Sequence, residues 1–213
     1  MWHLITNATL ETLEMVFASG FFALIGGLPL GILLWLLAPK HLWAHPKLYL
    51  IISALVNAAR SIPFIILMIA IIPLTRFLTG TSVGVHAVIV PLSLAAIPFF
   101  ARTVEIALQE ISEDLVEAAR SMGGTHFQII KKVLIPESLP QIIGGLTLTL
   151  VNLVGYSAMA GFNGSGGLGT LAINYGYQRY DMEIMLITIV ILILLVQCIQ
   201  TVGDYVAQKI FSH

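Results

Sequence analysis

Long uncharged apolar runs, each about as long as a bilayer is thick, constrain this chain more than any other feature. A helix crossing about 30 Å of hydrocarbon needs roughly 20 mostly apolar residues. Five segments meet that requirement. Residues 16–37 carry no charge and close at Pro39-Lys40, and residues 48–74 are apolar except for Arg60. Residues 83–101 follow a Gly80-Thr81-Ser82 turn, 139–159 run into a glycine-rich stretch, and 184–202 are almost purely aliphatic. Lipid offers the backbone no hydrogen-bond partner, and runs of this length satisfy their own N–H and C=O groups as helices. The expectation is an all-α, polytopic membrane protein with five transmembrane helices and a single domain over residues 1–213. Composition agrees: 58% of the 213 residues are hydrophobic and 10% are charged, against about 25% charged in soluble domains. Residues 1–10 contain no Lys or Arg and no evident cleavage site follows, so the first span is expected to be retained.

Five spans put the two chain ends on opposite sides, and the distribution of cations selects the orientation. One side holds Lys40, Lys47, Arg102, Arg120, Lys131, Lys132 and Lys209; the other holds Arg76 and Arg179. The first side is expected to be cytoplasmic, with the N-terminus outside. A net charge of −1 gives no basic surface for nucleic acid. Lys40 and Lys47 suit contact with anionic lipid headgroups.

The charged stretch 112–136 between the third and fourth spans then lies in the cytoplasm. Ser112 can cap a short helix, with Glu113 and Asp114 in its first turn against the positive end of the dipole. Leu115, Ala118, Ala119 and Met122 fall at i, i+3, i+4 and i+7 and predict one narrow apolar face. Gly123-Gly124 is expected to stop this helix. Thr125 and Gln128 form a capping-box pattern for a second one, which Pro136 is expected to end. Ser138 and Gln141 repeat the capping pattern before the fourth span. Small alanines would let another protein approach the helix backbone. Periodicity alone allows equally that the apolar face packs beneath the chain's own bundle.

The residues Glu117-Ala118-Ala119, Gly123 four positions further on, and the closing Val133-Leu134-Ile135-Pro136 resemble the EAA loop of ABC-importer permeases, where the last element reads Ile-x-Leu-Pro. Arg60-Ser61-Ile62-Pro63-Phe64, Ile97-Pro98-Phe99-Phe100-Ala101-Arg102, the stretch 154–159 and Gly166-Gly167-Leu168-Gly169 are similar to the methionine-importer permease in particular. The resemblance covers nearly the whole chain. It implies a type I transmembrane domain in a bacterial inner membrane, with Glu117, Ala118, Ala119, Met122, Gly123 and Pro136 engaging a separate ATP-binding subunit. It further implies two copies of the permease, two ATPase subunits that bind the ATP and Mg, and a substrate-binding lipoprotein delivering methionine, L- and in some cases D-. The permease itself would carry no catalytic site and no cofactor. A heterodimer with a related permease, or another small amino acid as substrate, is also compatible.

Within the spans, Arg60 is unusual, because a cation at mid-membrane costs at least about 2.5–3.5 kcal/mol on insertion scales. It reads as a pathway residue or interfacial anchor, with a structural or gating role favoured over substrate binding, or as an arginine snorkelling to the surface. Tyr156, Ser157 and Met159 lie near the outer end of the fourth span. The resemblance places this region along the central pathway, with Met159 as a flexible plug at the outer gate; ordinary packing is the plainer alternative. Gly164-Ser165-Gly166-Gly167-Leu168-Gly169 matches G-x-G-x-x-G, but it follows a membrane span and not a strand, which argues against a dinucleotide site. His41 and His45 have i, i+4 spacing, yet Pro46 and a short loop argue against a metal. A secondary transporter or channel would call for ion-coupling acids in the spans or inverted repeats, and neither pattern is evident in the five runs.

Overall fold

The computed structural model describes residues 2–39 and 41–211, so Lys40, counted above among the inner-side cations, lies outside the described residues. Among the described residues all regular structure is helical. Two helices form the axis of the bundle: α1 (Trp2–Leu37) and α5 (Val85–Gln109). They approach closely because α1 presents Gly27 and Gly31, four residues apart. A Cβ on Gly27 would sit 2.9 Å from the Ile97 carbonyl oxygen, and one on Gly31 would sit 2.5 Å from that of Ala101. In lipid, where apolar surface gives helices no drive to associate, such close backbone packing supplies the attraction. Trp35, Phe100, Leu92 and Met15 fill the space around this contact and are buried almost completely.

The second expected span, 48–74, is broken. It forms α2 (Pro46–Ser61), α3 (Phe64–Ala70) and α4 (Ile72–Thr79), and α2 and α3 meet at 100°. The cause is local. Pro63 has no N–H to continue α2, and it drives the preceding Ile62 to φ −77°, ψ 122°, an extended conformation. Among the described residues four helices are long and apolar enough to cross a bilayer, or up to five if the bent pair is one span.

The stretch after α5 forms a hairpin of two helices, α6 (Glu113–Ser121) and α7 (His126–Ile129). Pro136 does not end the second helix. The chain passes from α7 through a wide turn at Ile130–Leu134, in which the Ile135 N–H donates five residues back to Ile130, and continues directly into α8 (Ile135–Ala160). Pro136 falls in the first turn beyond this change of register, where its missing N–H is tolerated. The boundary expected between hairpin and fourth span is therefore continuous helix. Ser138 is buried inside it and donates to the Leu134 carbonyl at 2.6 Å, so it caps nothing.

The glycine cluster after α8 is not an open loop. It forms a tight turn and the short helix α9 (Gly167–Leu171), packed on the N-terminal part of α1. The Gly167 N–H donates to Glu11 at 2.6 Å and the Leu168 N–H to Thr12 Oγ1 at 2.9 Å. Asn163 donates to the Ser82 carbonyl at the same end. The first helix consequently begins at Trp2, well before residue 16, and this end of the bundle is bound together by side chains of α1. The last helix, α10 (Met182–Phe211), leans on α8 and exposes Leu186, Ile189, Ile193 and Leu194 in an aliphatic stripe suited to lipid. Cys198 is exposed on the same helix.

Candidate functional site

The hairpin is held by its own caps. Ser112 accepts from the Leu115 N–H at the start of α6. At its end the Gly123 N–H donates to Arg120 and the Gly124 N–H to Ala119, with Gly123 at φ 79°. These are the paired bonds of a Schellman turn, whose left-handed residue favours glycine. Thr125 and Gln128 then form the reciprocal capping box expected from the sequence. Two bonded ends fix a nine-residue helix that would be marginal in isolation.

The apolar face divides in two. Val116 and Ala119 face the bundle and join its core. Leu115, Ala118 and Met122 face away, Met122 being 82% exposed. The four expected positions therefore do not share one buried stripe, because the inward face is set by Val116 and Ala119. The outward set is apolar, small at its centre, and rigidly presented. Glu117 and Arg120 lie at the side of α6. With Glu113, Trp35 and His41 they line a cleft of about 500 Å³ between the hairpin and the end of α1. Burial pushes the His41 imidazole below its ordinary value, opposed by the nearby carboxylates of Glu113 and Glu105. Trp43 donates to His126 Nδ1 at 2.7 Å, tying the connection after α1 to the hairpin.

A buried polar network that sequence reading missed lies one layer above. Glu105 is fully buried. It accepts from Arg102 at 2.7 Å, from the Tyr49 hydroxyl at 2.9 Å and from Gln109 at 3.3 Å. A buried carboxylate is stable only when so paired. The signal was the i, i+3 spacing of Arg102 and Glu105 at the end of a helix that continues beyond the expected boundary at residue 101. Arg60 is thus not alone, since α5 carries a second arginine among apolar residues.

The remaining candidates lie at the α2–α3 break and in the last turns of α8. Arg60 ends α2 at the break. Its guanidinium lies 5.6 Å from the Phe99 ring centroid, and the residue is otherwise exposed. Phe64, just past the break, stacks on Tyr156 of α8 with centroids 4.9 Å apart. Met159 is 48% exposed. It shares an open face of α8 with Leu148 and Gly155, and a Cβ on Gly155 would meet nothing within 4 Å. Ser157 is turned inward and donates to the Val154 carbonyl, so it does not share that face.

A hairpin presenting a small apolar surface at one end of a proline-broken bundle is the arrangement expected of a membrane subunit worked from outside the bilayer. Residues 27–212 match the model of the family described as binding-protein-dependent transport system inner membrane component. The chain belongs to this family. Among permeases related to it, the probable D-methionine transport system permease protein MetI of Vibrio cholerae is 50% identical over 207 residues, 97% of this chain and 92% of the relative. The D-methionine transport system permease protein MetI of Escherichia coli K12 is 53% identical over 161 residues, 76% and 74% of the two chains. A chain of the MetNI methionine ABC transporter, solved in an inward-facing conformation, superposes with a TM-score of 0.96 at 50% identity, covering 99% of this permease and 97% of that chain. A more distant amino acid ABC transporter, at 18% identity and a TM-score of 0.79, shares the fold.

Proposed function

We propose that this chain is the permease subunit of an ATP-driven importer in a bacterial inner membrane, forming the passage for methionine, L- and in some cases D-. The observation that carries this is the full-length likeness to the permease chain of a methionine ABC transporter. In this reading two copies form the passage and two ATP-binding subunits work it from the cytoplasm. Those subunits bind the ATP and Mg and hydrolyse the nucleotide, and a binding lipoprotein delivers the substrate outside. The N-terminus is outside, and the bent pair α2–α3 counts as the second of five spans.

The geometry supports a mechanical role for α6. A helix whose inward face is anchored by Val116 and Ala119 moves with the core it touches. Its outward residues Leu115, Ala118 and Met122 offer a shallow apolar surface that fits a cleft in the ATPase, flanked by Glu117 and closed by the Gly123 turn. Because the hairpin runs unbroken through Pro136 into α8, displacement of the hairpin is transmitted directly to the helix that carries Tyr156 and Met159. Met159, flexible and exposed, serves as the gate residue, with Tyr156 positioning it and Ser157 packed behind.

The test is Ala118→Trp. The variant should insert in the membrane at normal levels, fail to co-purify with the ATP-hydrolysing subunit, and lose ATP-dependent methionine uptake in vesicles. Retention of both the partner and uptake would overturn the docking role.

A further inference from the structure

We infer that Arg60 is the point within the passage that receives the carboxylate of the travelling amino acid. The inference rests on the reading that Arg60 lines the passage. Depth comes first. Arg60 lies near the far end of α2, roughly 20 Å above its start at 1.5 Å per residue. The ring it touches, Phe99, sits about 15 Å before the end of α5 at Gln109. Both measures put the guanidinium inside the hydrocarbon thickness, beyond the reach of an arginine stem to the nearer headgroups.

A cation at that depth needs water or an anion. Among the described residues no carboxylate pairs with Arg60. Acidic residues occur at positions 11, 14, 181 and 183 towards one end of the bundle. The others, at 137, 204 and from 105 to 117, lie towards the other end. Glu105 is nearest in level, but it is sealed in the core by Arg102, Tyr49 and Gln109. A second copy brings the same sequence and therefore the same deficit. Arg60 is exposed, so in a wet passage its guanidinium is hydrated and free to take up a carboxylate that passes it.

The surroundings fit the carboxylate end of a zwitterionic visitor. Asn57 is exposed one turn before Arg60. Ser61, the next residue, donates back to the Asn57 backbone carbonyl at 2.8 Å. The Phe99 ring holds one face of the guanidinium by a cation–π contact and leaves its donor edge for a planar carboxylate. The unmatched positive charge would also repel inorganic cations and so keep an open passage from leaking them.

The test uses the complete importer in proteoliposomes, its partner subunits made cysteine-free, with Cys198→Ala removing this chain's only cysteine and Arg60→Cys added. Methionine uptake should fall at least about tenfold, as expected for one lost charge-assisted hydrogen bond. Aqueous aminoethyl methanethiosulfonate, which restores a positive charge, should recover most of it. The neutral methyl reagent and the anionic sulfonatoethyl reagent should not. If the introduced thiol is inaccessible to all three reagents, Arg60 faces lipid or protein and the passage reading itself fails. If it reacts but uptake is the same with every reagent, Arg60 lines the passage and the carboxylate contact is refuted.

Discussion

Gly123 shows how one residue serves both the fold and the task. No atom stands within 4 Å of the position its Cβ would take, so space is not what requires glycine there; the backbone is, at φ 79°. Any L side chain in that region costs about 1–2 kcal/mol, with asparagine the least affected. Gly123→Ala should therefore lower the coupling between hydrolysis and uptake while the bundle remains intact, and Gly123→Asn should lie between it and the native protein. The ratio of methionine imported to ATP hydrolysed is the measurement. Equal ratios in all three would mean that the turn does not fix the hairpin's pose. This turn was legible in the sequence because glycine, a capping serine and a capping box are local signals. Glu105 was not, because its three partners come from residues 49, 102 and 109 and no spacing announces the contact to Tyr49.

Among the elements, the α1–α5 pair sets the limits of tolerance. Gly31 faces the backbone of Ala101 and the side chain of Val104, both of which a Cβ would meet at less than 3 Å. Gly31→Leu should push the two axial helices apart and leave little folded permease in detergent, whereas Gly155→Ala, with open space around it, should be tolerated. Thermal stability in size-exclusion experiments would separate them, and an equally stable Gly31→Leu variant would refute the close approach. The sequence placed the starts of α5, α8 and α10 and the end of α8 to within about a turn, but it ended α5 and α10 more than two turns short. It misjudged the segments whose helix continues in polar residues, as in α1 before residue 16. It did not tell the prolines apart. Pro63 breaks its helix, while Pro29, Pro91, Pro98 and Pro140 are carried within helices. Pro136 is likewise absorbed, by a wide turn upstream. Whether a proline breaks a helix depends on neighbouring contacts that sequence alone does not reveal.

For the molecule as a whole, the arrangement of ends is the decisive property. The hairpin, the start of α2 and the end of α5 share one end, while the glycine turn and the start of α1 share the other. In a background lacking Cys198, thiols introduced by Ser121→Cys and Tyr180→Cys should respond oppositely to an impermeant maleimide added to intact cells. The second should label and the first only after permeabilisation; the reverse pattern would invert the membrane orientation. Tyr180 suits this test because it is 88% exposed. The length of α1 has one more consequence. Its 36 residues extend about 54 Å, against about 30 Å of hydrocarbon, so it stands proud of the lipid where Glu11 and Thr12 grip the glycine turn. In the proposed orientation this end is the outer rim, and it forms a preassembled platform. A binding lipoprotein docking there would spend none of its binding free energy on ordering a floppy mouth, and could release its cargo over a fixed opening.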